Sequence, residues 1–80
     1  ALDGVELMAH AVELMREHTP EETRIHHVIT NGGGAPNVVP DFAEVYYYVR
    51  HPRGLTVKQL YARLVKCAEG AALATETRLE

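Results

Sequence analysis

The apolar residues of this 80-residue chain recur at helical spacing in two segments, residues 3–18 and residues 56–74. Spacings of three and four place these residues on one side of a helix, which predicts two amphipathic helices. The apolar positions are Val5, Met8, Ala9, Val12 and Met15 in the first segment and Leu60, Leu64, Cys67 and Ala71 in the second. Asp3 and Thr56 each stand three positions before a Glu or Gln, the spacing of a capping box, so we expect them to cap the two helices.

Two further features bear on these helices. Residues 19–22, Thr-Pro-Glu-Glu, are typical of a helix start and predict one short helical turn after the first helix. Gly70 lies inside the second helix, where glycine costs roughly 1 kcal/mol relative to alanine. We therefore expect close packing to be the reason for this glycine.

Between the helices, residues 24–30 and 41–50 alternate between two sets of side chains, which predicts two strands. Strands joined by so local a loop most simply form an antiparallel pair. One face of the first predicted strand consists of Ile25, His27 and Ile29. The apolar face of the second strand consists of Ala43, Val45, Tyr47 and Val49. Its other face is mixed and consists of Phe42, Glu44, Tyr46, Tyr48 and Arg50. Residues 76–80 alternate again and predict the start of a third strand.

The predicted order is helix, strand, strand, helix and the start of a strand. We expect one α+β domain over residues 1–80, a two-layer sandwich with two helices on one face of an antiparallel sheet. This order matches the ferredoxin-like βαββαβ pattern with its first strand missing. Because the chain opens at Ala1 within a helical pattern, we expect it to be a segment of a longer protein.

Charge and size restrict the functions that this chain can have. A net charge of -3 argues against a surface for nucleic acid or for an anionic membrane. There is no apolar run of transmembrane length. A single cysteine, Cys67, excludes an internal disulfide and favours a reducing compartment such as the cytoplasm. Because so short a chain buries only a small core, we expect it to associate with a further domain or a second copy.

The residues that most often carry chemistry do not form a metal site in this sequence. His26 and His27 are adjacent on a strand, so they point to opposite faces, and we interpret them as structural or partner-contacting residues. Cys67 lies on an apolar stripe and is interpreted as a small buried hydrophobe. Tyr46 and Tyr48 form a half-exposed strip that could stack on single-stranded nucleic acid, but the acidic balance favours a partner surface.

Three consecutive glycines, residues 32–34, open the loop between the predicted strands. They lack the Lys-Ser/Thr ending of a phosphate-binding loop, and no helix follows them. Two interpretations remain open. The loop is either a hairpin connection that needs positive φ angles, or a segment whose backbone N–H groups, at Gly33 and Gly34, accept a carboxylate or an oxyanion.

The segment "GGGAPNVVPDFAEVYYYVR", residues 32–50, resembles the lid-domain motif G-x-x-x-N-[VI]-[VI]-P-[DE] of a known family. This family is the zinc-dependent amidohydrolase and exopeptidase superfamily that includes aminoacylases and carboxypeptidase G. The likeness continues through "ALDGVELMAHAVELMREH", "RIHHVITNGG" and "LYARLVKCAEGAALATETRLE", so it covers nearly the whole chain. It is strongest for the branch of p-aminobenzoyl-glutamate hydrolases.

The resemblance implies a division of labour within a larger enzyme. In that family a catalytic domain holds two zinc ions and a Glu general base, while a ferredoxin-like lid supplies the dimer contact. This chain resembles the lid, so the implied zinc or manganese belongs to a catalytic domain outside it. Asn37 matches the Asn that hydrogen-bonds substrate in several relatives, and Arg50 matches an Arg that binds the substrate's carboxylate. Neither His26 nor His27 matches the His that reaches across the family's dimer.

These expectations describe the lid and dimerisation domain of a metal-dependent amidohydrolase acting on N-acyl or N-aroyl amino acids such as p-aminobenzoyl-glutamate. Its expected partners are a second copy, the catalytic domain of the parent chain and a small substrate with a carboxylate. We expect the homodimer to form through an exposed strand edge and a neighbouring helix. The alternative is a free-standing ferredoxin-like module that binds a small ligand or regulates an unrelated enzyme. Catalytic motifs elsewhere in the full reading frame would decide between them.

Overall fold

The structure, a computed structural model, describes residues 1–80 and contains two long helices and two strands. In chain order they are α1 (Leu2–Met15), β1 (Arg24–Asn31), β2 (Glu44–Arg50) and α2 (Gly54–Thr75). A 3₁₀ turn, Arg16–His18, extends α1. The predicted order of helix, strand, strand and helix is confirmed. Neither helix combines the length and apolar character needed to cross a membrane.

The two helices begin earlier than their capping patterns predict. The N-cap residues are Ala1 and Arg53, and neither helix has a side-chain cap hydrogen bond. Asp3 and Thr56 lie inside the first turns, so the prediction that they cap the helices was wrong. The backbone continues the helix ahead of them: the Val57 N–H donates to the Arg53 carbonyl at 3.1 Å. The Asp3 carboxylate still lies near the positive end of the α1 dipole.

The segments that follow the helices are irregular. The short helical turn predicted after α1 is a single turn, closed by the Thr23 N–H donating to the Pro20 carbonyl at 3.0 Å. After α2, Glu76 takes a left-handed conformation (φ 56°, ψ 41°), which ends the helix. The strand predicted at residues 76–80 is not formed, because these residues pair with neither strand of the two-stranded sheet.

The two strands pair antiparallel, as predicted. Their register runs from Arg24 opposite Arg50 to Asn31 opposite Glu44. A register irregularity falls near the loop end and leaves Thr30 without a partner across the ladder, which is a β-bulge. The Thr30 hydroxyl donates to the Glu44 carboxylate at 2.7 Å and stabilises this end of the hairpin. β2 begins three residues later than predicted.

Both helices pack on one face of the hairpin, which confirms the two-layer α+β arrangement. The central cluster is Val12, Met15, Ile25 and Leu64, with Met8, Tyr47, Val49 and Cys67 packed against it. Tyr47 and Cys67 therefore belong to the core, as predicted. Only six residues of the chain are buried, so the core is small even for a domain of this length.

Gly70 does not have the packing role that its position in α2 predicts. A methyl group built at Gly70 would have no neighbouring atom within 4 Å, and the residue is exposed. The expectation of close packing was therefore wrong. Within this chain Gly70 costs helix stability without a compensating contact.

The sheet is narrower than the helical layer that covers it. The free edge of β2 borders an open apolar groove beside α2. Its lining includes Val45, Tyr47, Val49, Tyr61, Val65 and Leu79. The two-stranded hairpin alone leaves this face of α2 uncovered.

Candidate functional site

The loop between the strands contains one glycine whose conformation requires glycine. Gly33 has a φ of 107°, and it is the only glycine of the chain with a positive φ. A methyl group at Gly33 would come within 3.2 Å of the Pro40 ring. Its N–H donates to the Asn31 side-chain oxygen at 3.1 Å. Gly33 thus shapes the loop, and its N–H already has a partner within the chain, whereas Gly34 has open space around it.

Asn37 lies in the exposed part of this loop. A turn surrounds it, since the Val38 N–H donates to the Ala35 carbonyl at 3.3 Å. The Asn37 side chain is exposed and makes no hydrogen bond within the chain. The loop is tied to α1 at its far side, where the Ala1 nitrogen donates to the Pro40 carbonyl at 3.0 Å. Asn37 is therefore free to donate to and accept from a group outside this chain.

Arg50 lies at the other end of the hairpin, as the last residue of β2. It shares an open cleft of about 310 Å³ with Glu22, Arg24, His51 and Pro52. The Arg50 guanidinium makes no ion pair, because the only ion pairs of the chain lie elsewhere. The sequence predicted a strand-end arginine on the exposed sheet face, and the structure places it there.

The structure does not bring Asn37 and Arg50 together. Six residue steps of β2 separate Glu44 from Arg50, roughly 20 Å at the rise of a strand. Asn37 lies beyond the Glu44 end, in the loop. A substrate the size of two residues spans at most about 7 Å of extended chain. The paired part of one hairpin is longer than such a molecule, although each residue remains predicted to bind substrate.

Sequence reasoning missed Arg24, which the register places directly opposite Arg50 on the same sheet face. The Arg24 guanidinium donates to the Thr23 carbonyl at 2.9 Å and to the Glu21 carbonyl at 3.3 Å. These bonds hold it at the mouth of the cleft. The signal available in the sequence was that the two arginines end the two facing strands, but using it requires the pairing register.

The two adjacent histidines lie on opposite faces of the sheet, as predicted. His26 faces Tyr48 on the open face with ring centroids 6.4 Å apart. His27 stacks on Tyr47 on the helix-covered face, with centroids 4.9 Å apart. No group of three or more His, Cys, Asp or Glu side chains lies close enough to hold a metal ion.

The exposed side of the hairpin combines aromatic and charged groups. Tyr46 and Tyr48 are 62% and 43% exposed, whereas Tyr47 between them turns into the core. Burial raises the pKa of the Tyr47 phenol, and the negative charge of Glu13 adds to that rise. The Tyr47 hydroxyl is enclosed and has no hydrogen-bond partner. The open face thus offers ring surfaces next to the arginine pair, while the phenol of Tyr47 stays neutral inside.

The chain belongs to the peptidase dimerisation domain family, whose family profile matches residues 3–76. It is 49% identical over 81 residues to a p-aminobenzoyl-glutamate hydrolase subunit of Escherichia coli (strain K12), and the match covers 100% of this chain and 17% of that protein. It is 35% identical over 75 residues to the Xaa-Arg dipeptidase of Mus musculus, covering 94% of this chain and 17% of that protein. The Xaa-Arg dipeptidase of Homo sapiens is 32% identical over 80 residues, 100% of this chain and 18% of that protein. The chain therefore spans less than a fifth of the length of these relatives.

Proposed function

We propose that this chain is the dimerisation and substrate-lid domain of a metal-dependent amidohydrolase. The enzyme would cleave the amide bond of N-acyl or N-aroyl amino acids, with p-aminobenzoyl-glutamate as the first substrate to test. The observation that carries this proposal is the 49% identity, over the whole chain, to a subunit of a p-aminobenzoyl-glutamate hydrolase. Family membership supports the dimerisation role.

In this proposal the chain contributes substrate-binding groups to the enzyme. Zinc or manganese would be held by the catalytic domain, where such an ion would polarise the substrate's carbonyl. The Arg50 guanidinium, which has no ion pair within the chain, is suited to bind a carboxylate through two parallel hydrogen bonds. The exposed Asn37 amide is suited to hydrogen-bond the scissile amide or its oxyanion. The single free cysteine supports a cytoplasmic setting for the protein.

The two free edges of the hairpin support the proposed assembly. The edge of β2 borders the apolar groove, which further strands of the same protein would cover to complete a ferredoxin-like sheet. The edge of β1 stays open, and an open edge pairs readily with another strand. We therefore assign the β1 edge and its neighbouring helix to the homodimer. Analytical ultracentrifugation that finds only monomer at high protein concentration would contradict this assignment.

The test is hydrolysis of p-aminobenzoyl-glutamate by the full-length protein loaded with zinc or manganese. Asn37→Ala and Arg50→Ala should each lower kcat/KM by about tenfold or more, since hydrogen bonds to charged groups contribute roughly 1.5–3 kcal/mol. Lys66→Ala, on the exposed side of α2, is the matched control. Two variants with wild-type kcat and KM would refute the site. A full reading frame without catalytic motifs would favour the free-standing binding module instead.

A further inference from the structure

The pairing of Arg24 with Arg50 concentrates positive charge at one end of the hairpin. Like charges directly opposite each other on a sheet are destabilising, and this pair occurs in a chain with a net charge of -3. Neither arginine makes an ion pair, although Glu22 lines the same cleft. The hairpin therefore places two guanidinium groups opposite each other, and neither of them has an ion-pair partner.

The cleft around this pair is lined by polar groups and hydrogen-bond donors. None of its five lining residues is hydrophobic. The His51 Nδ1 accepts the Arg53 N–H at 3.1 Å, which leaves the ring proton on Nε2 as a donor. Arg24 uses one terminal nitrogen for its backbone bonds and keeps its other N–H groups available. Such a set of donors matches carboxylate oxygens, the acceptors that guanidinium groups bind most strongly.

We propose that Arg24 is a second carboxylate-binding residue, and that the Arg24–Arg50 pair selects substrates whose amino-acid portion carries two carboxylates. This inference rests on the proposed function, which gives one carboxylate to Arg50. Each guanidinium then takes one carboxylate of a glutamate-like group, and the cost of placing the two cations together is offset when substrate binds. An aroyl ring has a surface nearby, because Tyr48 and His26 lie two residues along their strands, roughly 7 Å away.

The experiment compares two substrates that differ in one charge, p-aminobenzoyl-glutamate and p-aminobenzoyl-glutamine, with the full-length protein. Arg24→Gln should raise KM for the glutamate compound by about tenfold or more. It should change KM for the glutamine compound by less than about twofold, because that compound lacks the second carboxylate. Arg24→Lys keeps the charge without the planar fork and should give an intermediate KM. Lys66→Gln removes one exposed cation from α2 and should change neither substrate.

Two results with these substrates would overturn the inference. If Arg24→Gln changes KM equally for both substrates, Arg24 maintains the structure of the domain and does not bind the second carboxylate. If Arg24→Gln changes KM for neither substrate, Arg24 does not contact substrate. Urea unfolding tests for such a structural role directly. We expect Arg24→Gln to leave the free energy of unfolding unchanged or raised, because it removes one of two facing cations. Wild-type protein that hydrolyses neither compound would refute the proposed function. In that case carboxylate binding by Arg24 would be tested by measuring the affinity for glutarate, a dicarboxylate, by calorimetry. Equal affinities of wild type and Arg24→Gln for glutarate would overturn the inference.

Discussion

The separation of Asn37 and Arg50 leads to a prediction about how the dimer builds its active sites. The two side chains lie at opposite ends of a hairpin whose paired part spans roughly 20 Å. If both contact the same substrate, we expect them to come from different protomers. Each active site of a two-fold dimer would then use Asn37 of one protomer and Arg50 of its partner.

Heterodimers of single variants test this arrangement. Asn37→Ala and Arg50→Ala subunits, carrying different affinity tags, are co-expressed, and the mixed dimer is isolated by purification on both tags. One of its two sites then lacks both side chains and the other has both, so the mixed dimer should recover about half of the wild-type kcat. Each homodimeric variant should show less than about a tenth of wild-type kcat/KM, from the loss of a hydrogen bond to a charged group.

The reciprocal dimer provides the control with the opposite outcome. A wild-type subunit paired with the double variant has one damaged side chain in each site, so its kcat/KM should stay below about a tenth of wild type. If both residues instead act within one protomer, this dimer keeps one intact site and the mixed single-variant dimer keeps none. Half activity in the reciprocal dimer would therefore refute the argument from the hairpin geometry.

Three further predictions concern stability, measured by urea unfolding of the 80-residue chain. Ile25 and Ile29 lie on the same face of β1, and their side chains are 1% and 41% exposed. Ile25→Ala should lower the free energy of unfolding by about 2–5 kcal/mol, and Ile29→Ala by clearly less. Equal losses would contradict the assignment of Ile25 to the core. Gly70→Ala should raise the unfolding free energy by roughly 0.5–1 kcal/mol, because alanine favours a helix over glycine. The new methyl group has room, since it meets nothing within 4 Å. A loss of stability would show a contact absent from the structure. The pKa of Tyr47 is raised above its ordinary value of 10.0, so its phenol ionises more readily in the unfolded chain than in the folded one. The free energy of unfolding should therefore be unaffected below about pH 10 and fall above it. Tyr47→Phe should reduce this fall, whereas Tyr46→Phe, at an exposed position, should not.

Much of the secondary structure could be predicted from the sequence, because amphipathic periods are local. Period-two alternation correctly placed Tyr47 in the core and Tyr46 and Tyr48 outside it. The same reasoning placed His26 and His27 on opposite faces. The helix starts were predicted less well, since a capping pattern competes with residues ahead of it that can also adopt helical conformations. In both helices the backbone extended beyond the proposed cap residue.

The candidate site could be predicted only as separate residues. The sequence indicated that Arg50 ends a strand on the exposed face and that Asn37 lies in a glycine-rich loop. It could not indicate that Gly33 donates its N–H to Asn31, since that bond depends on the path of the loop. Nor could it indicate that Arg24 faces Arg50, since the register depends on the bulge near the loop.

By itself, the sequence determined the two helices, the two strands and the apolar face of each strand, although it wrongly predicted a further strand at residues 76–80. These properties depend on neighbours one to four positions away, which the chain order already specifies. Only the tertiary structure decided the placement: Arg24 lies opposite Arg50, and Asn37 lies in the loop beyond the Glu44 end of β2, which is roughly 20 Å from Arg50 along the strand. Such distances follow from strand register and loop closure, which involve residues far apart in the chain. They separate the two candidate substrate-binding residues, Asn37 and Arg50, into regions at opposite ends of one hairpin.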